Sequence, residues 1–106
     1  MATYVDEAIW EWRGRRWCHL TADSDEELHE LAARLGLLRQ WFQTKPGRPW
    51  ADHYDLPEDA RVQAIACGAR PMTTRDMARR QATLRRRHRA QTPGPSPHAT
   101  GSDVAK

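Results

Sequence analysis

Four aspartates occupy positions where acids can do chemistry. Asp6 follows the β-prone residues 2–5, Asp23 follows 17–22, Asp55 lies in the short run that starts at His53, and Asp76 opens the segment after 69–72. Carboxylates gathered at strand ends would hold Mg²⁺ or Mn²⁺, hard cations that take oxygen ligands and keep several waters. An ion held this way binds a phosphodiester and activates a water for in-line attack. Asp23 and Asp76 each have a plainer use as helix caps, which leaves Asp6 and Asp55 as the stronger candidates.

Histidines join the same set. His19, Thr21 and Asp23 alternate along the chain and therefore share one face of a strand. His29 lies about one turn into a helix, beside Ala32 and Ala33, and His53 begins the DHYD segment. With Asp23 or Asp55 these three would suit a transition metal. Their spacing lacks the close i, i+4 pair of a zinc motif, so Mg²⁺ or Mn²⁺ ranks ahead of Zn²⁺. His19 or His53 would orient water or steady a leaving group. The candidate catalytic set is Asp6, His19, Asp23, His53 and Asp55, and the candidate ion ligands are Asp6, Asp23, Asp55 and Asp76. Singly, each histidine has the ordinary alternative of a hydrogen-bonded packing residue. Cys18 neighbours His19, but adjacent strand residues face opposite ways, which argues against a Cys/His dyad.

Substrate contacts are suggested by Trp10-Glu11-Trp12-Arg13-Gly14-Arg15-Arg16-Trp17, where flat rings interleave with guanidinium groups. Rings stack on bases and Arg clamps phosphates. Trp10, Trp12, Arg13, Arg15, Arg16 and Trp17, together with His29 and Tyr54, form the candidate binding set. The competing use of these rings is to close over a small core, with the arginines stacked on their outer faces.

The elements that must position these groups are readable in outline. Residues 2–5, 17–22, 53–56 and 69–72 are strand candidates, Pro71 placing the last at an edge. Residues 7–16 read as a loop or hairpin arm with Gly14 as its flexible point. Ser24 with Glu27 is a capping-box signature, Leu28, Leu31, Ala32 and Leu35 make one apolar face, and Gly36 stops that helix. A second helix starts at Pro57 and ends at Gly68, and a third is opened by Thr73 and Asp76 and runs to about Arg87. Strands alternating with helices predict an α/β domain over residues 1–90, with a largely parallel four-stranded sheet and about three helices. Right-handed crossovers would then bring the strand ends, and their aspartates, to one edge. The tail 91–106, with three prolines and two glycines, predicts disorder and includes His98.

Composition narrows the classes. With 106 residues, 39% of them hydrophobic, the chain has room for one domain with a small core, and its five tryptophans are many for that size. No long apolar run or signal-peptide pattern is present, and two cysteines make neither a disulfide scaffold nor a four-thiolate zinc site. A cytoplasmic protein without membrane contact is expected. The net charge of +3 conceals an asymmetry. Residues 1–74 hold nine Lys/Arg against twelve Asp/Glu, whereas 75–89 hold seven Arg against one acid. That last segment is either a phosphate-attracting arm or a solvated helix face.

Asp6, Trp10 with Gly14, Trp17-Cys18-His19-Leu20, Asp23, Glu27-Leu28-His29, Gly36, Phe42, Asp52-His53-Tyr54-Asp55-Leu56-Pro57 and Gly68-Ala69 together resemble domain of unknown function 4031, a small bacterial and phage family. The resemblance covers about residues 3–80 and implies membership without an activity. It places Cys18 where a small hydroxyl residue is expected, and it makes 44–51 (TKPGRPWA) an insertion. A second likeness, at fold level, is to PIN-type nucleases, from Asp6 after the first strand and Thr73-Thr74-Arg75-Asp76 after the last. The expected function is a small metal-dependent phosphodiesterase or nuclease-like domain acting on nucleic acid or a nucleotide. The alternatives are a non-catalytic binder of nucleotide or nucleic acid through the Trp/Arg segment, or an interaction module.

Overall fold

The computed structural model describes residues 2–91. Strands β1 (Thr3–Val5), β2 (Trp10–Trp12) and β3 (Arg15–Ala22) come first, followed by helix α1 (Asp25–Arg34). Two 3₁₀ turns, Arg39–Trp41 and Pro49–Ala51, lead to β4 (Tyr54–Pro57), α2 (Glu58–Ala66), β5 (Arg70–Pro71) and α3 (Thr74–Gln91). The expected α/β class and three helices are present. α3 extends through Gln91, the first residue of the proposed tail; residues 92–106, His98 among them, lie outside the described residues.

The sheet corrects the topology. It has five strands and is mixed, with β1–β3, β2–β3 and β3–β4 antiparallel and β1–β5 alone parallel among the described pairs. For β1 and β3 the reason is connection length: parallel neighbours need a crossover of a dozen or more residues, and only residues 6–14, with the β2–β3 turn among them, separate these two strands. β3 and β4 are antiparallel across a longer connection that contains α1. The proposed loop or hairpin arm contains β2, closed on β3 by Arg13 (φ 54°) and Gly14 (φ 73°) between the facing residues Trp12 and Arg15. Two successive positive φ values give the mirror-image turn that matches strand twist, and glycine adopts that conformation freely. Leu20 faces both Val5 and Tyr54, and Trp17 faces both Trp10 and Pro57. β1 and β2 therefore share one edge of β3, and β4 takes the other.

Because β3 is central, its alternation divides the molecule. Cys18 and Leu20 face the helices and are fully buried with Val5, Tyr54 and Leu56 against Leu28, Leu31, Ala32 and Ala64. Arg15, Trp17, His19 and Thr21 face the other way, and cross-strand partners add Trp12, Trp10, Asp55 and Tyr4 to that face. α3 crosses the Tyr4 end, with the Arg80 guanidinium 4.4 Å above the Tyr4 ring and Met77 buried. Trp50 of the supposed insertion packs on His88 of α3, rings 5.2 Å apart. Helix starts follow the sequence: Ser24 accepts from the Glu27 N–H at 3.2 Å, and Thr73 from the Asp76 N–H at 3.0 Å.

Candidate metal centre

Asp6 lies one residue past β1, with its N–H 3.3 Å from the His19 carbonyl. Its carboxylate is buried and turns back on His19. One oxygen accepts the His19 backbone N–H at 2.6 Å and the other lies 2.8 Å from His19 Nδ1. A carboxylate accepts, so Nδ1 carries the proton and Nε2 keeps a lone pair. Arg61 secures the same loop by donating to the Asp6 carbonyl at 2.6 Å.

The second histidine is oriented likewise. His53 Nδ1 lies 2.7 Å from the Ala51 carbonyl, which can only accept, so this ring too keeps its Nε2 for other partners. That Nε2 lies 3.3 Å from one Asp55 oxygen, and the other Asp55 oxygen accepts from Gln43 Nε2 at 2.5 Å. Burial alone would push His53 down, but the hydrogen bonds to Asp55 and Ala51 outweigh it and hold the imidazole above its ordinary 6.5. Asp55 goes the opposite way: burial would raise it, and the bonds from His53 and Gln43 hold it below 3.8.

His19 and Asp55 stand directly opposite each other in the β3–β4 ladder, and the His19 and His53 rings meet edge to face at 5.1 Å. One ligand atom from each of His19, His53 and Asp55 lies within 4.8 Å of the others, and all three side chains are half-buried. Ligands around one tetrahedral transition ion are separated by about 3.3 Å, given bonds of about 2.0–2.1 Å. Closing the set onto an ion therefore takes small side-chain rotations. Each histidine has its outer nitrogen held by an acceptor, the arrangement that orients metal-ligating imidazoles. Two imidazoles and a carboxylate suit a transition metal better than Mg²⁺.

Asp6, His19, His53 and Asp55 are thus brought together, and the other proposed acids are not. Because β3 runs against β1, Asp23 lies at the far end of the strand. There it accepts from the Ala2 N–H, Tyr4 and Arg80, whose bonds outweigh its burial and lower its pKa. Asp76 is exposed in the first turn of α3, 3.9 Å from Arg79. His29 lies across the sheet, where its Nδ1 meets the Tyr54 hydroxyl at 2.8 Å and Phe42 packs on its edge. Burial and then Arg39 lower its pKa. Tyr54 is fully buried, so its ring belongs to the core rather than to a binding surface.

The Trp/Arg segment divides too. Trp10 stacks on Trp17 at 5.9 Å and lies 5.8 Å from the His19 ring, walling the centre on one side. Beyond it is a cleft of about 740 Å³, lined by Trp12, Arg13, Arg15, Trp17, Trp41 and Phe42 among others, with Gln43 and Asp55 at its margin. Arg16 faces away, opposite Glu11. Sequence reasoning missed Gln43, the Ala51 carbonyl and Trp41. The first two come through the Gln43–His53 bridge, which no local pattern announces, whereas two adjacent aromatics at 41–42 in a polar stretch were a usable signal.

Comparison with known proteins bears on descent alone. No curated protein and no solved structure matches the chain, so the likeness to PIN-type nucleases gains no support. A family model does match, over residues 3–84, and the chain belongs to the family described as protein of unknown function (DUF4031).

Proposed function

We propose that this protein is a metal-dependent hydrolase of phosphodiesters, binding one Mn²⁺ or Zn²⁺ through His19, His53 and Asp55. The observation that carries the reading is the shared orientation of the two imidazoles. Each Nδ1 is fixed by an acceptor, 2.8 Å away on Asp6 and 2.7 Å away on Ala51, so Nε2 is the nitrogen each ring has left for a metal, that of His53 once it gives up the proton it shares with Asp55 3.3 Å away. Three protein ligands leave coordination positions open, and the His19 side chain is 39% exposed, so water and substrate can reach them. The ion would acidify a bound water and accept negative charge from a phosphoryl oxygen. Asp6 is a positioning residue in this scheme.

A phosphodiester is favoured by the surroundings. The Trp/Arg cleft adjoins Asp55. The test is calorimetric titration with Mn²⁺, Zn²⁺ and Mg²⁺, followed by hydrolysis of bis(p-nitrophenyl) phosphate with the ion that binds. His19→Ala and Asp55→Asn should each abolish tight binding and turnover, and an unaltered chain that binds none of the three ions would refute the reading. The cleft also supports a second reading, a non-catalytic nucleic-acid or nucleotide binder. It predicts ligand binding without turnover and no effect of His19→Ala on affinity.

A further inference from the structure

We infer that the cleft beside Asp55 receives unpaired bases of a single nucleic-acid strand, which makes the substrate of the proposed hydrolase single-stranded. The inference rests on the phosphodiester reading of the metal centre for its catalytic meaning, but its binding claim stands on the cleft itself. Two segments distant in sequence build the walls. The β2–β3 hairpin supplies Trp12 and Trp17, and the 3₁₀ turn with the residue after it supplies Trp41 and Phe42. Trp12 and Trp41 are left 53% and 50% exposed in a fold with little apolar surface to spare. Exposed rings of this size, facing one cleft from two sides, offer flat surfaces of a kind that bases stack on.

The charges select the occupant. Arg15 is engaged with Asp59 at 2.6 Å, whereas Arg13 lies 4.6 Å over the Trp12 ring and makes no ion pair among the described residues. An apolar peptide in this cleft would leave that guanidinium and the Gln40 amide without partners, whereas Gln43 is already engaged with Asp55. A nucleotide chain satisfies both, with rings on base faces, the Gln40 amide on a base edge and Arg13 on phosphate. In a duplex those base faces are covered by their neighbours, and exposing one costs unstacking. The cleft volume, about 740 Å³, falls within the range of small-molecule sites and is suited to one or two nucleotides. Since Asp55 borders both cleft and metal set, a base seated between the tryptophans brings its phosphate toward the ion.

The experiment is fluorescence anisotropy of the full chain with a labelled eight-residue oligothymidylate, in EDTA, against the same strand paired with its complement. Single-strand binding should exceed duplex binding by at least tenfold. Trp12→Ala and Trp41→Ala should each weaken it by about 5- to 150-fold, as expected for loss of one stacked base. Trp41→Phe should restore most of the affinity, and Arg13→Gln should flatten the salt dependence. Both tryptophans are half-exposed, so circular dichroism should show the variants folded. Equal affinity for single strand and duplex, or no response to either alanine variant, would overturn the inference. Strand binding in EDTA by a chain that takes up no metal would support the cleft while the metal reading fails. Metal uptake and diester hydrolysis without strand binding would do the reverse.

Discussion

Replacing Asp6 with Asn tests the centre at its most buried point. The carboxylate accepts two bonds from His19, at 2.6 Å from the backbone N–H and 2.8 Å from Nδ1. Asparagine keeps the shape but has one acceptor oxygen and a donor NH₂. If the oxygen takes the backbone N–H, the NH₂ confronts Nδ1, and the imidazole must move its proton to Nε2, removing the lone pair a metal needs. If the amide flips, a half-buried backbone N–H loses its acceptor. Hydrogen bonds to a charged group contribute about 1.5–3 kcal/mol each, and the two here share one partner, so the net loss should be about 2–3 kcal/mol. For a domain of this size that lowers Tm by about 10–20 °C. Loss of the orienting carboxylate should also weaken Mn²⁺ or Zn²⁺ binding by about 10- to 100-fold. Calorimetry below the variant's melting temperature separates the two effects, and nitrogen NMR of the imidazole should show the His19 proton moving from Nδ1 to Nε2. A variant that loses stability but binds metal within twofold of the original chain, with its tautomer unchanged, would refute the assignment of Asp6 as a positioning residue.

Metal binding and apo stability should depend on pH in opposite directions between 6.5 and the folded value of His53. His53 is raised above 6.5, so its contribution to stability is complete below 6.5 and is lost as pH rises through the folded value; Asp55 is lowered, so its share is present above 3.8 and is lost as pH falls through its folded value. The ion competes with the His53 proton, so affinity should fall by about tenfold per pH unit below the folded value, as titrations at stepped pH would show. The buried Cys18 thiol is pushed up to about 12 by burial and then by Asp6, whereas Cys67 is exposed. A thiol reagent at pH 8 should therefore modify one cysteine in the folded chain and two in denaturant. Leu20→Ala, at the centre of the core, should cost about 2–5 kcal/mol in urea unfolding.

Legibility in the sequence followed the range of the interaction. The cap at Ser24, the stop at Gly36 and the edge placement of Pro71 depend on near neighbours in the chain, and the structure has them. Strand direction depends on how many times the chain crosses the sheet, and alternation of strands with helices does not count the crossings. Residues 7–16 were legible as a loop or hairpin arm, but the three residues of β2 carry no usable period, so the antiparallel pairing of β3 with β1 was not, and with it the reason Asp23 lies far from Asp6. His19 and Asp55 could be singled out as chemical groups on strand faces. Their union could not be, because cross-strand pairing at a sequence distance of 36 residues replaces the short helical spacing of a zinc motif. Gln43 and the Ala51 carbonyl were invisible for the same reason.

The centre's geometry is tied to the core by register. In the β3–β4 ladder, His19↔Asp55 lies between Cys18↔Leu56 and Leu20↔Tyr54, all four of the latter fully buried or nearly so. A slip of one residue would turn Cys18 or Leu20 outward and carry His19 into the core, so the hydrophobic packing that fixes the ladder also fixes the two ligand positions. His53 is held less directly, through the Gln43–His53 bridge and the Ala51 carbonyl. The cleft walls at Trp41 and Phe42 come from that same segment, outside the main ladder. In the proposed hydrolase, the metal ligands His19 and Asp55 would therefore sit under the constraint of the core, while the Trp41–Phe42 wall of the cleft would sit on a connection facing the Trp12–Trp17 wall on the hairpin.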